Sequence, residues 1–343
     1  MTHPYQGLPS ERYWNSAMQR SGGMADLNLL AKPRFCFDGS ERIATMGSCF
    51  SQHLGRFLHA SGYNYFFVEQ DGDGTPPIFS CRYGNVYTPR HALQLVERSQ
   101  SDVPDTSEIW ERNGRFFDAY RPLTQPNGYA STDELIDDRT NHLRAVNSML
   151  SQADVLIFTL GLTETWLNAS TGTVYPSAPG VLAGDYDPNL HTFRNFRAGE
   201  ILGDLDAFLG ALRRINPTIR VILTVSPVSI AATYEDRHVW TSTTYTKAAL
   251  RVAADAARQD HEFVDYLPTY EAITAPCYRY RFLTSDNRTV EPAGVRHAMR
   301  LFSAYFSPPG VAHPSPTPAT GTLGRGPMVP SYDVICDEEY NAS

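Results

Sequence analysis

The hydrophobic positions divide the chain into short, continuous apolar runs and longer stretches with helical spacing. Apolar runs at 154–160 and 220–225, and a shorter one at 42–46, are typical of strands buried in a parallel sheet. Two more short strands are predicted at 65–68 and 262–266. Helical spacing with start signals predicts helices over 52–60, 89–100, 132–151, 199–214, 243–259 and 292–305.

The order of these elements predicts the fold class. Strands that alternate with helices indicate an α/β protein whose mostly parallel sheet carries helices on both faces. Residues 1–40 are interpreted as an N-terminal arm packed on the body, 41–306 as one domain with insertions, and 307–343 as a Pro/Gly-rich tail. The segment 104–130 is expected to be rich in loops with short strands, and 167–197 to be a long excursion between two strands.

Composition narrows the range of functions. The chain has 343 residues, of which 42% are hydrophobic and 19% charged, so a sizeable core is expected. The formal net charge of -8 and the lack of Lys/Arg-rich runs argue against a nucleic-acid partner. No apolar stretch reaches the roughly 18 residues that span a bilayer, and the start lacks signal-peptide features, so a cytoplasmic protein without a membrane partner is predicted.

Cysteine spacing and motif content bear on cofactors. The five cysteines are odd in number and widely spaced and form no CxxC pair, which favours reduced thiols. No HExxH motif or His-rich cluster is present, so no metal is predicted. A glycine-rich loop for nucleotides is also missing. A loop at 71–77 contains acidic residues but lacks the closing Glu of a calcium loop, and it is interpreted as a turn.

Unusual residues follow three of the predicted strands. They lie in the segments 47–50, 161–166 and 226–228. Because ligands bind beyond the carboxyl ends of parallel strands, these segments are expected to meet at one functional edge.

The first of these segments carries the candidate nucleophile. A strand that ends in Gly47 and runs into a helix presents Ser48 and Cys49 to the positive end of the helix dipole, which favours an anionic nucleophile. Free N–H groups at the same turn can stabilise an oxyanion. The competing interpretation is a Ser at the N-cap with a buried structural Cys.

The motifs together resemble the GSCFA family of bacterial proteins, which is related to the SGNH (GDSL-like) hydrolases. The naming motif of the family matches residues 46–53, with Ser51 where Ala is usual. Further blocks match at 83–89, 118–122, 158–166, 223–228, 238–251 and 266–271, so the resemblance covers roughly residues 40–306.

The resemblance implies a three-layer α/β/α sandwich, flavodoxin-like in outline, and acyl-ester chemistry for the 41–306 domain. The first strand of SGNH enzymes ends in Gly-Asp-Ser with Ser as nucleophile. Aligned without a gap, Cys49 takes the place of that Ser, and Ser48 remains the alternative. Asn85 and Thr163 fall near the oxyanion donors of the superfamily.

The general base is missing from its usual place. SGNH enzymes carry Asp-x-x-His before the last helix, whereas Thr289 stands here where the His is expected, three residues after Asp286. Of the ten histidines, His238 is the preferred candidate for the base, ahead of His297 and His53, because it follows the third strand end and lies in a family block.

The other candidates concern orientation and binding. Glu164 or Asp286 is expected to orient the base. Aromatic residues are candidates for lining an acyl or sugar pocket, with core packing as the competing interpretation. Lys247 is a candidate for binding a phosphate or carboxylate, or for capping a helix. The aromatic candidates are Tyr87, Trp166, Trp240 and Tyr245.

These features predict an esterase or O-acyltransferase that acts on a polysaccharide or small metabolite. No cofactor is expected, although an acyl-coenzyme A would be a natural donor for transfer. The alternative is a non-catalytic ligand- or glycan-binding protein on an SGNH fold, which the missing Asp-x-x-His motif favours.

Overall fold

The computed structural model describes residues 3–19, 27, 29, 32–69, 78–307, 334 and 336–342. The helices and strands, in chain order, are α1 (Trp14–Gln19), β1 (Ile43–Gly47), α2 (Ser51–Ala60), α3 (Pro89–Ser99), β2 (Ile109–Arg112), β3 (Arg115–Asp118), α4 (Thr132–Gln152), β4 (Val155–Leu160), β5 (Glu164–Asn168), β6 (Val174–Tyr175), β7 (His191–Asn195), α5 (Ala198–Ile215), β8 (Arg220–Val225), α6 (Val239–Asp260), β9 (Val264–Tyr266), α7 (Thr269–Thr274) and α8 (Pro292–Phe306).

The central sheet is parallel and has the order β1-β4-β8-β9. Ile43 pairs with Val155, and Val155 pairs with Arg220, so the three long strands start in register. A parallel bridge between Tyr65 and Ile43 places a further segment next to β1, at the edge of the sheet. This segment was predicted as a strand over 65–68 and contributes only the bridge. With it, the spatial order is that of the flavodoxin-like doubly wound fold.

Side chains alternate between the two faces of the sheet and define two cores. Leu156 and Phe158 of β4 face a core that includes residues of α3, α4, α5 and α6. Val155 and Ile157 face the opposite side, where residues of α2, α7 and α8 pack. The protein is therefore an α/β/α sandwich with a parallel sheet, and the predicted fold class is confirmed.

Two smaller sheets lie outside the sandwich. Strands β2 and β3 form a hairpin in the region predicted to be rich in loops with short strands. Strands β6, β5 and β7 form an antiparallel sheet, in which Trp166 pairs with Tyr175 and Phe193. The sequence analysis treated this region as an excursion and missed the sheet.

Most element bounds lie within one or two residues of those predicted, but α6 differs. It was predicted over 243–259 and begins at Val239, so His238 becomes its N-cap. In the N-terminal region, the ring of Phe37 packs against those of Phe302 and Phe306. The predicted loop at 71–77 lies outside the described residues. Among the described residues, no helix has the length and apolar character needed to cross a bilayer.

The C-terminal region contributes an element that the sequence did not predict. Residues 308–333, 335 and 343 lie outside the described residues. Asp337–Ala342 form a 3₁₀ helix, and Cys336, Asp337 and Glu338 are buried. These seven described residues, 336–342, are called the C-terminal segment below, and they pack where β1 leads into α2.

Candidate functional site

Gly47 fixes the path of the chain at the end of β1. Its φ is 129°, and a Cβ at this position would lie 2.4 Å from the Thr159 carbonyl oxygen of β4. Only glycine fits such a close approach between neighbouring strands. The Gly47 carbonyl accepts a hydrogen bond of 2.8 Å from Val86 N–H, which holds the 83–89 block beside the turn.

The turn from Ser48 to Phe50 leads directly into α2. Ser51 N–H donates to the Ser48 carbonyl at 2.8 Å, and Gln52 N–H to the Cys49 carbonyl at 3.1 Å. The Ser51 hydroxyl, which replaces the usual Ala, donates to the Met46 carbonyl at 3.0 Å. No hydrogen bond between described residues uses the N–H of Cys49 or Phe50. Cys49 therefore lies where a helix begins, beside free N–H donors.

Ser48 and Cys49 are both buried but have different surroundings. Ser48 Oγ has no hydrogen-bond partner among the described residues. A Cβ added at Gly161 would lie only 2.8 Å from the Cβ of Ser48. Cys49 Sγ, Cys336 Sγ and a Glu338 carboxylate oxygen all lie within 4.8 Å of one another. The sulfur of Cys49 therefore lies among polar groups, whereas the choice between Cys49 and Ser48 as nucleophile stays a prediction.

Lys247 brings a buried cation to the same site. Its side chain is buried on α6, and Nζ donates to the Gly161 carbonyl at 2.9 Å. Burial lowers the pKa of Lys247 from 10.5 to about 8, although the nearby Glu338 and Cys49 raise it in part. Thr246, the preceding residue, shares a hydrogen bond of 2.9 Å with Thr163, between their hydroxyl oxygens.

Asn85 and Tyr87 reach the site from the 83–89 block. The Tyr87 carbonyl accepts from Gly161 N–H at 2.9 Å, which joins this block to the predicted segment 161–166. Asn85 Nδ2 donates to Asp337 Oδ2 at 2.6 Å, and burial raises the pKa of Asp337 to about 6. Tyr87 Oη lies 3.7 Å from Cys336 Sγ. Asn85 therefore donates to a carboxyl group of the C-terminal segment, and its role as an oxyanion donor stays a prediction.

Arg288 and the C-terminal segment belong to this site, and the sequence analysis missed both. Arg288 Nη2 lies 2.9 Å from Glu338 Oε1 and 3.6 Å from Cys336 Sγ. Arg288 Nη1 donates to Glu339 at 2.6 Å. A hydrogen bond with Cys49, together with burial, raises the pKa of Cys336. The only sequence signal was position, because Arg288 stands in the loop where Asp-x-x-His was expected.

The predicted residues His238 and Glu164 make other contacts. His238 is exposed at the N-cap of α6, where Nδ1 accepts from Trp240 N–H at 3.1 Å. Glu164 accepts from the Thr233 hydroxyl at 2.7 Å, and burial raises its pKa. Neither contacts Ser48 or Cys49 among the described residues. Their roles as base and orienting residue stay predictions.

The predicted aromatic residues Trp166 and Tyr245 also lie among other partners. The Trp166 ring packs edge-on against the rings of Tyr186, Phe193 and Tyr234. The Tyr245 hydroxyl donates to the Phe196 carbonyl at 3.1 Å. Their proposed role in binding a substrate also remains untested.

The other described histidines make contacts elsewhere. His142 pairs with Glu69 at 2.6 Å, and His297 Nε2 lies 3.2 Å from the Tyr278 hydroxyl. His53 packs edge-on against the Phe50 ring, and burial lowers its pKa to about 4. Within the described ranges, no recorded contact of a histidine reaches Ser48 or Cys49.

A small cavity of about 60 Å³ lies next to this site. Arg121 Nη1 is buried there and has no hydrogen-bond partner among the described residues. The polar side chains that line the cavity include Gln52, Asn85, Arg82, Arg121 and Asp337.

One group in the described part of the chain has the composition of a metal site, namely Cys49, Cys336 and Glu338. No metal was predicted from the sequence, because it has no HExxH motif, CxxC pair or His-rich cluster, and Cys49 is far in the chain from Cys336 and Glu338. Thiolates and carboxylates suit zinc. Arg288, however, already neutralises Glu338, and Lys247 adds a second positive charge, so the charges at this group do not favour a divalent cation.

Comparisons with known proteins give a family and several distant structural likenesses. The model of the GSCFA family matches residues 42–302. No curated protein sequence matches the chain significantly. The chain is similar to a carbohydrate esterase family 3 structure from Talaromyces cellulolyticus at 12% identity and a TM-score of 0.37, covering 77% of this chain and 95% of the other.

Two further solved structures show similar likenesses. An acetyl esterase matches at 12% identity and a TM-score of 0.35, covering 77% of this chain and 95% of the other. An acetyl xylan esterase from Butyrivibrio proteoclasticus matches at 16% identity and a TM-score of 0.29, covering 78% of this chain and 63% of the other.

Proposed function

The chain belongs to the GSCFA family, and from the surroundings of Cys49 we propose that it is an esterase or O-acyltransferase with a cysteine nucleophile. One observation carries the proposal: Cys49 lies two residues before the start of α2, at the carboxyl edge of the sheet, and has a buried cation, Lys247, in its surroundings. A helix N-terminus and a nearby ammonium both favour a thiolate, which is the reactive form of cysteine.

In the acylation step, the Cys49 thiolate attacks the carbonyl carbon of an ester or thioester. The oxyanion that forms is held by the N–H groups of Cys49 and Phe50. Asn85 Nδ2 is proposed as a third donor, in exchange for its hydrogen bond to Asp337. The carbon–oxygen or carbon–sulfur bond to the leaving group then breaks, and Lys247 gives a proton to that group. The products are a Cys49 thioester and a neutral Lys247.

In the second step, neutral Lys247 takes a proton from the acceptor hydroxyl. The acceptor oxygen attacks the thioester, the carbon–sulfur bond breaks, and Cys49 returns as a thiolate beside an ammonium. Water as acceptor gives hydrolysis, and a hydroxyl of a polysaccharide or small metabolite gives transfer. A coenzyme A thioester is the donor proposed for transfer.

Lys247 is preferred to His238 as the proton carrier for this mechanism. Its Nζ lies inside the site, and burial brings its pKa close to neutral, where a group can both give and take a proton. His238 is exposed and caps α6, so it needs a rearrangement to serve as base.

The test is labelling with an activated acyl ester and with an acyl-coenzyme A, followed by mass spectrometry of the full-length protein. We expect one acyl group on Cys49 of the wild type and of Ser48→Ala, and none on Cys49→Ala. Neutral hydroxylamine should remove the label, because it cleaves thioesters faster than oxyesters. Cys81→Ala removes another buried cysteine and serves as the matched control, which should label like the wild type.

Labelling that persists unchanged in Cys49→Ala and Ser48→Ala would reject the nucleophile assignment. The second candidate function is a non-catalytic ligand- or glycan-binding protein, and it is favoured by the absence of histidine contacts to Cys49 among the described residues. That candidate predicts no covalent label on the wild type, together with measurable binding of an acylated glycan.

A further inference from the structure

The C-terminal segment brings a second thiol to the proposed nucleophile. Cys336 Sγ and Cys49 Sγ lie within 4.8 Å of each other, and each residue is 3% exposed. The two cysteines are separated by most of the chain in sequence. Two thiols this close must approach each other by at most about 3 Å to reach the S–S bond length of about 2 Å.

Polar groups around the pair favour thiol chemistry. Arg288 Nη2 lies 3.6 Å from Cys336 Sγ, and the Tyr87 hydroxyl lies 3.7 Å from it. Lys247 lies in the surroundings of both sulfurs. Positive charge near Cys49 favours its thiolate, which is the form that reacts with peroxides. The hydrogen bond with Cys49 and burial raise the pKa of Cys336, so Cys336 stays a thiol that can attack an oxidised Cys49.

The rest of the C-terminal segment holds Cys336 in position. Asp337 accepts from Asn85 at 2.6 Å, Glu338 pairs with Arg288 at 2.9 Å, and Asn341 accepts from Ala178 N–H at 3.3 Å. These contacts, made by residues that follow Cys336 in the chain, hold the segment so that the Cys336 sulfur lies next to Cys49.

We propose that Cys49 and Cys336 form a reversible disulfide that ties the C-terminal segment across the nucleophile when the protein meets hydrogen peroxide. The Cys49 thiolate attacks one peroxide oxygen, an S–O bond forms, and the O–O bond breaks to release hydroxide, which takes a proton to become water. The Cys336 thiol then attacks the Cys49 sulfenic acid, an S–S bond forms and the S–O bond breaks, and the hydroxide that leaves takes the thiol proton to become a second water.

In these two steps the thiol pair loses two electrons and the peroxide is reduced to two waters. A dithiol such as dithiothreitol reverses the reaction by thiol–disulfide exchange. Formation of the disulfide does not depend on the proposed function. Its consequence does, because it blocks acyl transfer only if Cys49 is the nucleophile.

The experiment uses the full-length protein, reduced, freed of reductant and treated with hydrogen peroxide. Each of the five cysteines lies on its own tryptic peptide, with Cys49 on 43–56 and Cys336 on 326–343. We expect free thiols, measured in denaturant, to fall from five to three per chain. The 43–56 and 326–343 peptides should appear as one cross-linked species that dithiothreitol separates.

Two cysteine variants sharpen the test. In Cys336→Ser, the cross-link should be lost, and Cys49 should instead gain two oxygens as a sulfinic acid that dithiothreitol does not reverse. In the matched variant Cys81→Ser, which removes a buried cysteine outside the pair, the cross-link should form as in the wild type.

Three results would overturn the proposal. The first is oxidised wild type without the 43–56 to 326–343 cross-link. The second is equal cross-linking of 326–343 to the peptide 35–42, which carries the exposed Cys36. The third is stoichiometric zinc in the purified protein that protects both thiols, since that result assigns the pair to a metal.

The same samples separate this proposal from the proposed function. Cross-linking without acyl labelling of Cys49 refutes only the function, whereas labelling without cross-linking refutes only the disulfide.

Discussion

Replacing Lys247 by Met tests the proposed proton carrier and leaves the side chain close to its original length. Lys247 is 2% exposed, and Nζ donates to the Gly161 carbonyl at 2.9 Å. Loss of a general acid–base group lowers rates by about 10²- to 10⁴-fold. We therefore expect acylation of Cys49 to fall by that factor in Lys247→Met, while the far-ultraviolet circular dichroism stays unchanged.

The same substitution has a predictable effect on stability. Burial lowers the pKa of Lys247 from 10.5 to about 8, which corresponds to about 3 kcal/mol of cost for the ammonium at neutral pH. Met removes that cost but leaves the Gly161 carbonyl without its donor, which costs about 1–3 kcal/mol. At pH 7 the two effects nearly cancel, so the variant should unfold within about 2 kcal/mol of the wild type.

The pH dependence separates the two effects. Between about pH 8 and 10.5 the unfolded chain holds a proton on Lys247 that the folded protein has released, so the free energy of unfolding of the wild type rises with pH. Lys247→Met lacks this titration. The wild type should therefore gain about 2 kcal/mol relative to the variant between pH 7.5 and 9.5.

Urea unfolding at these two pH values measures the difference, and Lys32→Met, which replaces an exposed lysine, is the control. A difference that stays flat with pH would show that Lys247 is not buried as an ammonium. Full acylation in Lys247→Met would refute its role in proton transfer.

The remaining predictions concern the scaffold of the site. Asp118 lies 2.8 Å from Arg121 and 2.9 Å from Arg139, and these arginines hold its pKa at about 2 against the cost of burial. Asp118→Asn should therefore lower the free energy of unfolding, measured in urea at pH 7, by about 3–5 kcal/mol. An unchanged urea midpoint would contradict this. The wild type should lose the contribution of the Asp118 carboxylate as the pH falls from 3.8 towards 2. Gly161→Ala places a Cβ 2.8 Å from Ser48 Cβ and 3.0 Å from Tyr87, so acylation of Cys49 should fall at least about tenfold. The control Gly203→Ala places its Cβ in open space on α5, so it should leave acylation unchanged and raise the free energy of unfolding by up to about 1 kcal/mol. Equal acylation in both variants would contradict the packing at Gly161.

The sheet and its helices could be predicted because their residues carry a local signal. The continuous apolar runs of β4 and β8 and the spacing in α4, α5 and α8 are visible in any short window of the sequence. The sheet of β5, β6 and β7 could not be predicted, because β6 has two residues and the aromatic side chains of β5 and β7 pack on each other at the rim of the domain. His238 was expected in the loop before α6. Because α6 begins at Val239, earlier than predicted, His238 is its N-cap.

The residues of the site that follow the strand ends could be predicted from the sequence. Those that come from distant parts of the chain could not. Gly47, Ser48 and Cys49 follow from the position of a turn after a strand. Lys247 was a candidate for binding a phosphate or carboxylate. Its proposed role in proton transfer depends on its burial, which cannot be predicted from the sequence. Cys336 has no periodic neighbours, and its contact with Cys49 joins opposite ends of the chain.

The loop before α8 lacks the expected histidine but still contributes a charged side chain, Arg288, to the site. Asp286 accepts hydrogen bonds from Thr284, Arg288 and Thr289 within its own loop, so it shapes the turn, and its expected role in orienting a base stays a prediction. The turn directs Arg288 to Cys336 and Glu338. A guanidinium stays protonated at all ordinary pH values, so this loop supplies a permanent charge but no base. In the proposed mechanism, proton transfer comes from another element, and Lys247 is a buried group of the described site whose pKa of about 8 suits it.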